Sequence, residues 1–210
     1  MKAKIKGVIK SIIFFISTLI TLPLSVPSII ESKISNKETF FCFGSHILSL
    51  APGLLGNYLR KGYYYLTLES CSSSVDINFG SFFSHRQAKV EDSVCIGAYC
   101  IIGCVNIKKG TLIGSRVSIL SGKNQHEYIN GKITRQALLS TVSIGENTWI
   151  GEGSLVLNDV GNNTIISAGS IVFNKIPDNM VFFPTGSNKG KLFKRVTIEN
   201  LKKKNRNLQQ

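Results

Sequence analysis

The stretch VSIGENTWIGEGSLVLNDVGNNTIISAGSIVFNKIPDN, residues 142–179, decides the fold of this chain. Branched aliphatic residues return in it at six-residue intervals, with interruptions, and glycine often follows them. Neither a helical period near 3.6 nor a strand period of two generates this spacing, whereas a short strand and a tight turn on each of three faces does. The pattern predicts a left-handed parallel β-helix, in which one apolar side chain per face points inward and stacks on the next coil.

The same repeat extends upstream and divides the chain into segments. Its inward positions are Val90, Ile96, Ile102, Ile113, Ile119, Ile144, Ile150, Val156, Ile166 and Val172. We expect an all-β solenoid over residues 71–180, with its coils in two blocks, 71–121 and 142–176. Between the blocks lies a polar excursion, residues 122–141. Binding and catalytic groups concentrate on such loops because a rigid scaffold positions them.

The segments outside the solenoid are predicted to be helical or tail-like. Residues 1–39 form an apolar segment that associates with a membrane, and residues 40–70 form a helical cap over the open end of the solenoid. In the cap, Leu55, Leu59, Tyr63 and Leu66 recur at helical spacing after the Pro52-Gly53 break, so we expect this stripe to pack on the first coil or on a neighbouring subunit. Residues 181–210 are predicted to be a basic tail or a short C-terminal helix.

Residues 11–30 contain no charged side chain and follow four lysines, which leaves three interpretations open. A signal peptide fits the basic start but lacks an A-x-A-like cleavage site. A membrane span with the lysines inside would place the solenoid outside. We favour a helix that dips into the inner leaflet and turns back where Pro23 and Pro27 break it, which keeps the solenoid in the cytoplasm, on the cytoplasmic face of the membrane.

The formal net charge of +13 lies at the two ends of the chain. Residues 1–39 carry +4 and residues 189–210 carry +7, which leaves only +2 for the body between them. No aromatic residues interleave the basic tail, so no nucleic-acid partner is predicted. A basic tail is most often a solvated segment, and attraction to anionic lipid is the next interpretation.

The cysteines and histidines do not suggest a metal site. No C-x-x-C pair occurs among Cys42, Cys71, Cys95, Cys100 and Cys104, which we interpret as free thiols in a reducing compartment. The three histidines, His46, His85 and His126, are about forty residues apart along the chain, with no close pair to share a metal. We therefore expect no metal, and a β-helical metalloenzyme is the least favoured alternative.

His126 is the strongest candidate for chemistry because it lies in the polar excursion. A hydroxyl or amine that attacks a thioester loses a proton as the new bond forms, and a neutral imidazole can accept that proton near physiological pH. We assign His126 as a general base, against the alternative of a solvated loop residue. Glu127 beside it, and His85 near an early coil turn, are weaker candidates for binding the substrate.

Residues 44–180 resemble the hexapeptide-repeat acyltransferases, the left-handed β-helix group that includes the maltose, serine and polysaccharide O-acetyltransferases. The motifs that carry this resemblance are SILSGKNQHEY and the TWIG, DVG, AGS and IPDN pieces of the quoted stretch, in that order. The upstream LAPGLLGNYLRKGYYYL and SFFSHRQAKV look like members associated with cell-surface polysaccharide loci. The resemblance implies a homotrimer with its active site between adjacent solenoids, acetyl-CoA as donor, and His126 as the residue that matches the catalytic histidine.

The resemblance also implies a cofactor groove along Gly151 and the Ser167-Ala168 step, where small side chains admit pantetheine. The chain departs from the family at the CoA end of that groove. A Thr-Lys pair before the Pro-Asp-Asn turn is replaced by Phe173-Asn174, and the stretch Pro184–Asn188 replaces a Gly-Asn-Pro-Ala. Lys175, Lys189 and Lys191 are the cations available there for CoA phosphates.

Two functions from different classes follow. The first is an acetyl-CoA-dependent O- or N-acetyltransferase that acts on a sugar of a cell-surface polysaccharide or its lipid-linked precursor. The apolar, lysine-flanked N-terminus suggests that acceptor, because it would hold the enzyme where such precursors are assembled. The alternative is a non-catalytic trimeric scaffold in a membrane-bound biosynthetic complex, which the altered CoA end favours.

Overall fold

The hexad repeat forms a parallel β-solenoid of about six turns, preceded by three helices, so the predicted fold class, a left-handed parallel β-helix with N-terminal helices, is confirmed. The computed structural model describes residues 2–123, 125–129, 132–134, 137–184 and 190–194. Each coil visits three sheets in the same order, which we name faces A, B and C, and turns at the A–B, B–C and C–A corners.

Each face is a stack of short parallel strands, one from each coil. Face A contains β1 (Ser70–Cys71), β4 (Lys89–Val90), β7 (Val105–Ile107) and β12 (Val142–Ile144). Face B contains β2 (Asp76–Ile77), β5 (Cys95–Ile96), β8 (Leu112–Ile113), β13 (Trp149–Ile150), β15 (Ile165–Ile166) and β17 (Met180–Phe183), with β18 (Lys191–Lys194) added at its end. Face C contains β3 (Phe82–Phe83), β6 (Ile101–Ile102), β9 (Ser118–Ile119), β14 (Leu155–Val156) and β16 (Ile171–Val172). The excursion contains β10 (Tyr128–Ile129) and β11 (Lys132–Ile133).

The solenoid interior consists of apolar columns that run from coil to coil. On face B, Ile96 pairs in register with Ile113, which pairs with Ile150, which pairs with Ile166. These side chains, like the other inward positions predicted from the repeat, are almost fully buried. Burying one aliphatic side chain of this size stabilises the fold by about 1.5–3 kcal/mol. The six-residue repeat is therefore the sequence signature of these columns.

From the second coil onward, each A–B corner has one residue in the left-handed region of backbone conformation. Asn147, Asn163 and Asn179 occupy this position in three successive coils, with φ of 51°, 50° and 59°. Asparagine tolerates this conformation better than most residues because its short amide can bond to the local backbone. In the quoted stretch, each of these asparagines stands two residues after a glycine or a proline. An asparagine at that position therefore marks where a coil turns.

Three helices precede the first coil: α1 (Lys2–Ile34), α2 (Thr39–Ser49) and α3 (Gly53–Thr67). The prediction that Pro23 and Pro27 break the first helix is wrong, because α1 continues through both. Packing on both sides of the prolines holds the helix together. The backbone of Thr18 lies against Gly62 of α3 before them, and Glu31 is buried after them. By length and composition, residues Gly7–Ile34 suffice to cross a membrane.

Helices α2 and α3 cover the open end of the first coil and satisfy its backbone polar groups. The guanidinium of Arg60, which is 1% exposed, donates to the carbonyl oxygen of Ile77 at 2.8 Å and to that of Ala51 at 2.7 Å. The Tyr64 hydroxyl accepts from the N–H of Phe83 at 3.2 Å. Such bonds replace the ladder that a further coil would supply, since an unpaired buried backbone group costs free energy.

The stripe predicted on α3 packs only in part as expected. Tyr63 is buried, but Leu55 is exposed, and the buried side of the helix contains Gly56, Arg60 and Tyr64. The first coil presents open carbonyl and N–H groups, so the helix that covers it needs polar side chains as well as apolar ones. The stripe therefore marks part of the buried surface, through Tyr63 and the half-buried Leu59, but it misses Arg60 and wrongly includes Leu55.

The beginning of the C-terminal segment is a strand. The prediction of a tail or short helix from residue 181 is wrong for the described part, because β17 extends to Phe183 and pairs antiparallel with β18. Along β17, Phe182 is buried against the last coil, whereas the next residue, Phe183, is exposed, as is Phe193 of β18. Residues 195–210, the rest of the predicted basic tail, lie outside the described residues.

Candidate active site

The excursion leaves face C after β9 and returns to face A at β12, so it projects from the C–A corner of the third coil. Within it β10 and β11 pair antiparallel. The N–H of Thr134 donates to the carbonyl oxygen of Glu127 at 2.8 Å, and the N–H of Leu138 donates to that of Gln125 at 2.8 Å. These bonds tie together the two sides of the loop on either side of His126.

His126 is exposed and is oriented by the excursion itself. Its Nδ1 lies 3.1 Å from the carbonyl oxygen of Thr134. A carbonyl oxygen can only accept, so Nδ1 carries the proton, and in the neutral ring Nε2 is left with its lone pair. This is the tautomer that a general base needs, because its Nε2 is unprotonated. Glu127 is also exposed, and its N–H donates to the Thr134 hydroxyl at 3.3 Å.

The base of the excursion lies against a later coil of the same corner. The ammonium of Lys123 lies 5.1 Å from the ring centroid of Phe173, which follows β16 on the fifth coil. Such a contact between a cation and an aromatic face is attractive. Phe173, which departs from the family pattern, is therefore a neighbour of the loop that contains His126.

Lys175 lies at the same C–A corner, two residues beyond Phe173. Its ammonium is 3.4 Å from Oδ2 of Asp159, and its side chain is 73% exposed. An exposed pair of this kind is worth little, so the ammonium remains free to exchange partners. Lys191 is exposed on β18. Lys189 and the other residues of 185–189, where the second departure from the family falls, lie outside the described residues.

Gly151, Ser167 and Ala168 meet at a different corner, the B–C corner. A Cβ on Gly151 would lie 2.4 Å from the backbone nitrogen of Ala168 and 2.7 Å from the carbonyl oxygen of Ile166. The space beside Gly151 is therefore filled by the next coil. Ala168 itself is exposed and Ser167 half-buried, so only this step presents a surface to a ligand.

The candidate residues thus line the two edges of face C. His126, Glu127 and Lys175 lie at its C–A edge, whereas Gly151, Ser167 and Ala168 lie at its B–C edge. One chain does not bring the two groups together. A site that used both would need either a ligand that crosses face C or a second copy that supplies one edge.

His85 lies at the C–A corner of the first coil and joins the helices to the solenoid. Its Nδ1 is 2.6 Å from Oε2 of Glu38, and the other oxygen of that carboxylate accepts from the N–H of Arg86 at 2.9 Å. Burial alone would raise the pKa of Glu38, but the bonds from His85 and Arg86 outweigh it and the pKa is lowered. The binding role predicted for His85 stays a prediction, and the contacts it makes are structural.

Arg86 completes this junction by bridging to the end of α1. Its Nη2 lies 3.2 Å from Oε2 of Glu31, and its Nη1 donates to the carbonyl oxygen of Ser28 at 3.2 Å. Glu31 also accepts from the N–H groups of Thr39 and Phe40, at 3.0 Å each, at the start of α2. Desolvation opposes ionisation of Glu31, yet these backbone bonds and Arg86 give its pKa a net downward shift.

The thiols and carboxylates do not converge on a metal. Among the described residues no group of three or more His, Cys, Asp or Glu side chains could hold an ion. All five cysteines are free, and Cys71, Cys100 and Cys104 are buried. Burial raises the pKa of Cys71 to about 12, which keeps it protonated and unreactive.

Two contacts of the site have no signal in the sequence. The acceptor that fixes the His126 ring is a backbone carbonyl, that of Thr134, which any residue would provide. The Lys123–Phe173 contact joins residues fifty positions apart through coil stacking. Each depends on how the excursion folds back, which local sequence does not encode.

Comparison with solved structures finds a similar fold in an acetyltransferase. A maltose O-acetyltransferase from Clostridium difficile 630 aligns with a TM-score of 0.53 and 20% identity, over 74% of this chain and 84% of that chain. The resemblance to hexapeptide-repeat acyltransferases is confirmed in the fold.

Two further structures align less closely. AntD, an N-acyltransferase from Bacillus cereus in complex with dTDP and coenzyme A, aligns with a TM-score of 0.48 and 15% identity, over 64% of this chain and 77% of that chain. Perosamine N-acetyltransferase from Caulobacter crescentus, in complex with CoA and GDP-perosamine, aligns with a TM-score of 0.34 and 18% identity, over 66% of this chain and 62% of that chain. No family model and no curated protein sequence matches the chain.

Proposed function

We propose that this protein is an acetyl-CoA-dependent O- or N-acetyltransferase whose acceptor is a sugar of a cell-surface polysaccharide or of its lipid-linked precursor. The observation that carries the proposal is the geometry of His126. Its Nδ1–H is fixed by the Thr134 carbonyl, which leaves Nε2 as a proton acceptor on a loop that projects from the solenoid. The likeness of the fold to that of a maltose O-acetyltransferase supports the same chemistry.

In the proposed reaction, Nε2 of His126 removes the proton from a sugar hydroxyl or amine as its oxygen or nitrogen attacks the thioester carbonyl. The tetrahedral intermediate then expels CoA as its thiolate, which takes the proton back from the imidazolium. The products are the acetylated sugar and free CoA. A positioned base of this kind contributes about 10²–10⁴-fold to the rate.

The donor is proposed to lie along face C, between its two edges. The exposed ammonium groups of Lys175 and Lys191 are available to CoA phosphates, and the Ser167-Ala168 step offers small side chains where pantetheine can approach the backbone. Two residues are proposed to contact the sugar acceptor: Glu127, beside His126, and His85, on the first coil. No metal has a part in this mechanism.

A homotrimer would complete the site, because it sets the C–A edge of one copy beside another copy. The outward side chains of the solenoid support this assembly. Face B exposes Leu112 and Trp149, which are paired in register, and face C exposes Ile101 and Ile171. Face A instead presents Lys89 and other polar residues. Apolar outward columns on two of three faces are what contact between copies would bury.

The enzyme is proposed to act at the cytoplasmic face of a membrane. The apolar α1 supports attachment, and five free thiols together with use of acetyl-CoA support a cytoplasmic location. Lipid-linked glycan precursors are amphiphiles, so an enzyme held at the membrane encounters them at high local concentration.

The proposal is tested with the full-length protein in two measurements. Calorimetry with CoA measures donor binding without an acceptor, and release of CoA from acetyl-CoA in the presence of free and nucleotide sugars measures transfer. We expect wild type and His46→Gln to bind CoA and to be active, and His126→Gln to bind CoA with little activity. His46 is a matched control because it is an exposed histidine on α2, remote from the excursion.

Each outcome discriminates between the candidates. Equal activity of His126→Gln and wild type would show that His126 is not the general base. Absence of CoA binding at millimolar concentration would favour the non-catalytic scaffold.

A further inference from the structure

We propose that α1, α2 and α3 together form one lipid-facing surface, by which the β-helix stands upright on an anionic bilayer. This deepens the membrane attachment of the proposed function, because it assigns the contact to the whole helical cap rather than to a terminal tether. It does not depend on the acetyl transfer being correct.

The first observation is that α1 buries polar side chains and exposes apolar ones. Its buried positions toward the protein are polar, namely Ser17, Thr21, Ser25, Ser28 and Glu31. Its exposed positions are apolar, namely Val8, Ile9, Ile12, Phe15, Ile16, Leu19, Ile20, Leu22, Val26, Ile30 and Ile34. A helix on a water-exposed surface shows the opposite arrangement, with its apolar stripe toward the core. The outward face of α1 therefore fits hydrocarbon rather than water.

The buried polar side of α1 is satisfied without water. The Thr21 hydroxyl donates to the carbonyl oxygen of Thr18 at 2.9 Å, and the Ser25 hydroxyl donates to that of Thr21 at 2.9 Å. A Cβ on Gly62 would lie 2.9 Å from Cα of Thr18, so the backbones of α1 and α3 approach closely there. Small residues and internally bonded hydroxyls at helix contacts are typical of packing in lipid.

The apolar surface continues onto the other two helices. Phe43 and Ile47 of α2 are exposed, and Leu54 and Leu55 of α3 are 71% and 64% exposed. Phe40 and Leu50 lie exposed at or beside the ends of α2. Scattered exposed apolar residues are ordinary, but a surface shared by three adjacent helices is not.

The contacts of α1 define its direction relative to the solenoid. Near its end, Glu31 pairs with Arg86 at the C–A corner of the first coil. Near its start, Lys10 and Phe14 line a groove of about 530 Å³ together with Ser74 at the A–B corner of that coil. The helix therefore runs from one corner of the first coil toward a groove beside another, and we place it parallel to the coil planes. A bilayer that accepts its outer face is perpendicular to the solenoid axis, and α1 lies in the membrane plane instead of crossing it.

Charge identifies lipid, not a second copy, as the occupant. Lys10 is exposed near the start of the apolar face of α1, and Lys33 and Lys37 are exposed at its other end. Lysines at the rim of an apolar face attract anionic headgroups, each worth about 1 kcal/mol near such a surface. Two copies pressed together through this face would instead bring like charges together at its rim.

This arrangement fixes the height of the candidate site above the headgroups. The excursion leaves the third coil, two coil steps above the first, and neighbouring coils are about 4.8 Å apart, so its root lies about 10 Å above the first coil, with the helical cap between that coil and the bilayer. The acceptor class that fits is therefore a glycan attached to a membrane lipid, with its first sugars at that height.

Fluorescence quenching by bromine-labelled lipid tests the surface and the orientation together. The chain has a single tryptophan, Trp149, on the fourth coil, about 14 Å above the first. The full-length protein is reconstituted with vesicles of phosphatidylcholine and phosphatidylglycerol whose acyl chains carry bromine. Three reporters are made in a Trp149→Phe background: Ile12→Trp on α1, Ile47→Trp on α2 and Leu54→Trp on α3.

We expect strong quenching of all three reporters and none of Trp149 in the wild type. Quenching of the Ile12→Trp reporter alone would reduce the contact to a tether by α1 and overturn the proposal. Quenching of Trp149 as strong as that of the helix reporters would overturn the upright orientation. Reporters on α2 and α3 that escape quenching but change emission with protein concentration would identify a second copy as the occupant.

Vesicle flotation supplies a substitution test with a matched control. Ile47→Glu removes one apolar anchor of about 1.5 kcal/mol or more, which lowers partitioning about tenfold or more. Leu192→Glu changes a similarly exposed aliphatic residue on β18, at the far end of the solenoid, and should float as the wild type does. Equal flotation of both variants and the wild type would contradict a lipid contact by α2. Neither measurement involves acetyl-CoA. A negative result for the lipid contact therefore does not contradict the proposed reaction, and a negative result for the reaction does not contradict the lipid contact.

Discussion

Gly151→Ala distinguishes a glycine required by coil stacking from one required by a cofactor. The added methyl would lie 2.4 Å from the nitrogen of Ala168 and 2.7 Å from the oxygen of Ile166, both backbone atoms of the next coil. Backbone cannot rotate away as a side chain can, so the two coils must separate by about 1 Å to restore ordinary van der Waals contact.

The cost follows from the bonds that hold those coils together. The N–H of Gly151 donates to the carbonyl oxygen of Ile166 at 2.7 Å, and the N–H of Trp149 donates to that of Thr164 at 2.9 Å. A separation of about 1 Å takes such bonds beyond hydrogen-bond range, at about 0.5–1.5 kcal/mol each. Overpacking in a rigid interior costs about 1–3 kcal/mol, in agreement with this range. For a chain of this length, that lowers Tm by roughly 2–12 °C.

The assay is thermal unfolding together with calorimetric titration of CoA. Gly114→Ala is the matched control, because its added methyl would lie 2.7 Å from the backbone nitrogen of Glu152 at the same corner, one coil earlier. We expect both variants to lose similar stability. Unchanged Tm for Gly151→Ala, with weaker CoA binding that Gly114→Ala does not share, would refute the stacking argument and restore Gly151 to the cofactor groove.

Three further predictions concern the site and the junction. His126→Gln should lower kcat by about 10²–10⁴-fold while CoA affinity measured by calorimetry stays the same; loss of CoA affinity alone would contradict a base. His85 and Arg86 lower the pKa of Glu38 below its ordinary value, so the stability that this carboxylate contributes is present above that ordinary value and is lost as pH falls through the folded-state pKa. Glu38→Gln should therefore be less stable at pH 7 and less sensitive to acid than the wild type in urea titrations, and an unchanged acid profile would contradict the network. Cys71, with its pKa raised to about 12, should resist alkylation at pH 8 until the protein is unfolded, and labelling in the native state would show that its burial is wrong.

The solenoid could be predicted from sequence because its determinants are local and repeated. One inward aliphatic residue per six positions specifies a column, and the columns fix the register of neighbouring coils. Ile150 and Ile166 pair in register because both occupy the same place in their repeats. The excursion was equally visible, as the one long stretch between blocks where the period is absent.

The helical cap was harder to predict because its determinants are not local. Leu55 belongs to a regular leucine stripe yet is exposed, while Arg60 is among the most buried side chains of the chain. What decides this is the open end of the first coil, whose carbonyl groups need donors such as the Arg60 guanidinium. The prolines of α1 also made the prediction wrong. Pro23 and Pro27 signal a break, but tertiary contacts on both sides carry the helix through them.

The candidate site was predictable in its residues more than in its assembly. His126 was identified by elimination and by its polar surroundings, whereas its tautomer depends on the carbonyl of Thr134. Gly151 lies against the Ser167-Ala168 backbone, while the cofactor role that the resemblance implies for these three residues stays a prediction. These three residues lie at the opposite edge of face C from His126. That position could not be predicted from residue spacing, because it depends on the order in which each coil visits the three faces.

The inward and outward residues of this solenoid contain different kinds of information. Inward residues obey the six-residue repeat on all three faces, so they report the fold and cannot distinguish one face from another. Outward residues differ between faces at the period of a whole coil. Lys89 and Ser143 lie on face A, whereas Leu112 and Trp149 are paired on face B. The same contrast separates the polar inner side of α1 from its apolar outer side. Where the exposed pattern departs from what water favours, it supports the two proposed contacts: lipid below the first coil, and other copies beside faces B and C. In that proposed arrangement the excursion that holds His126 emerges between the two contacts, at the C–A corner, and an acceptor would approach it between them.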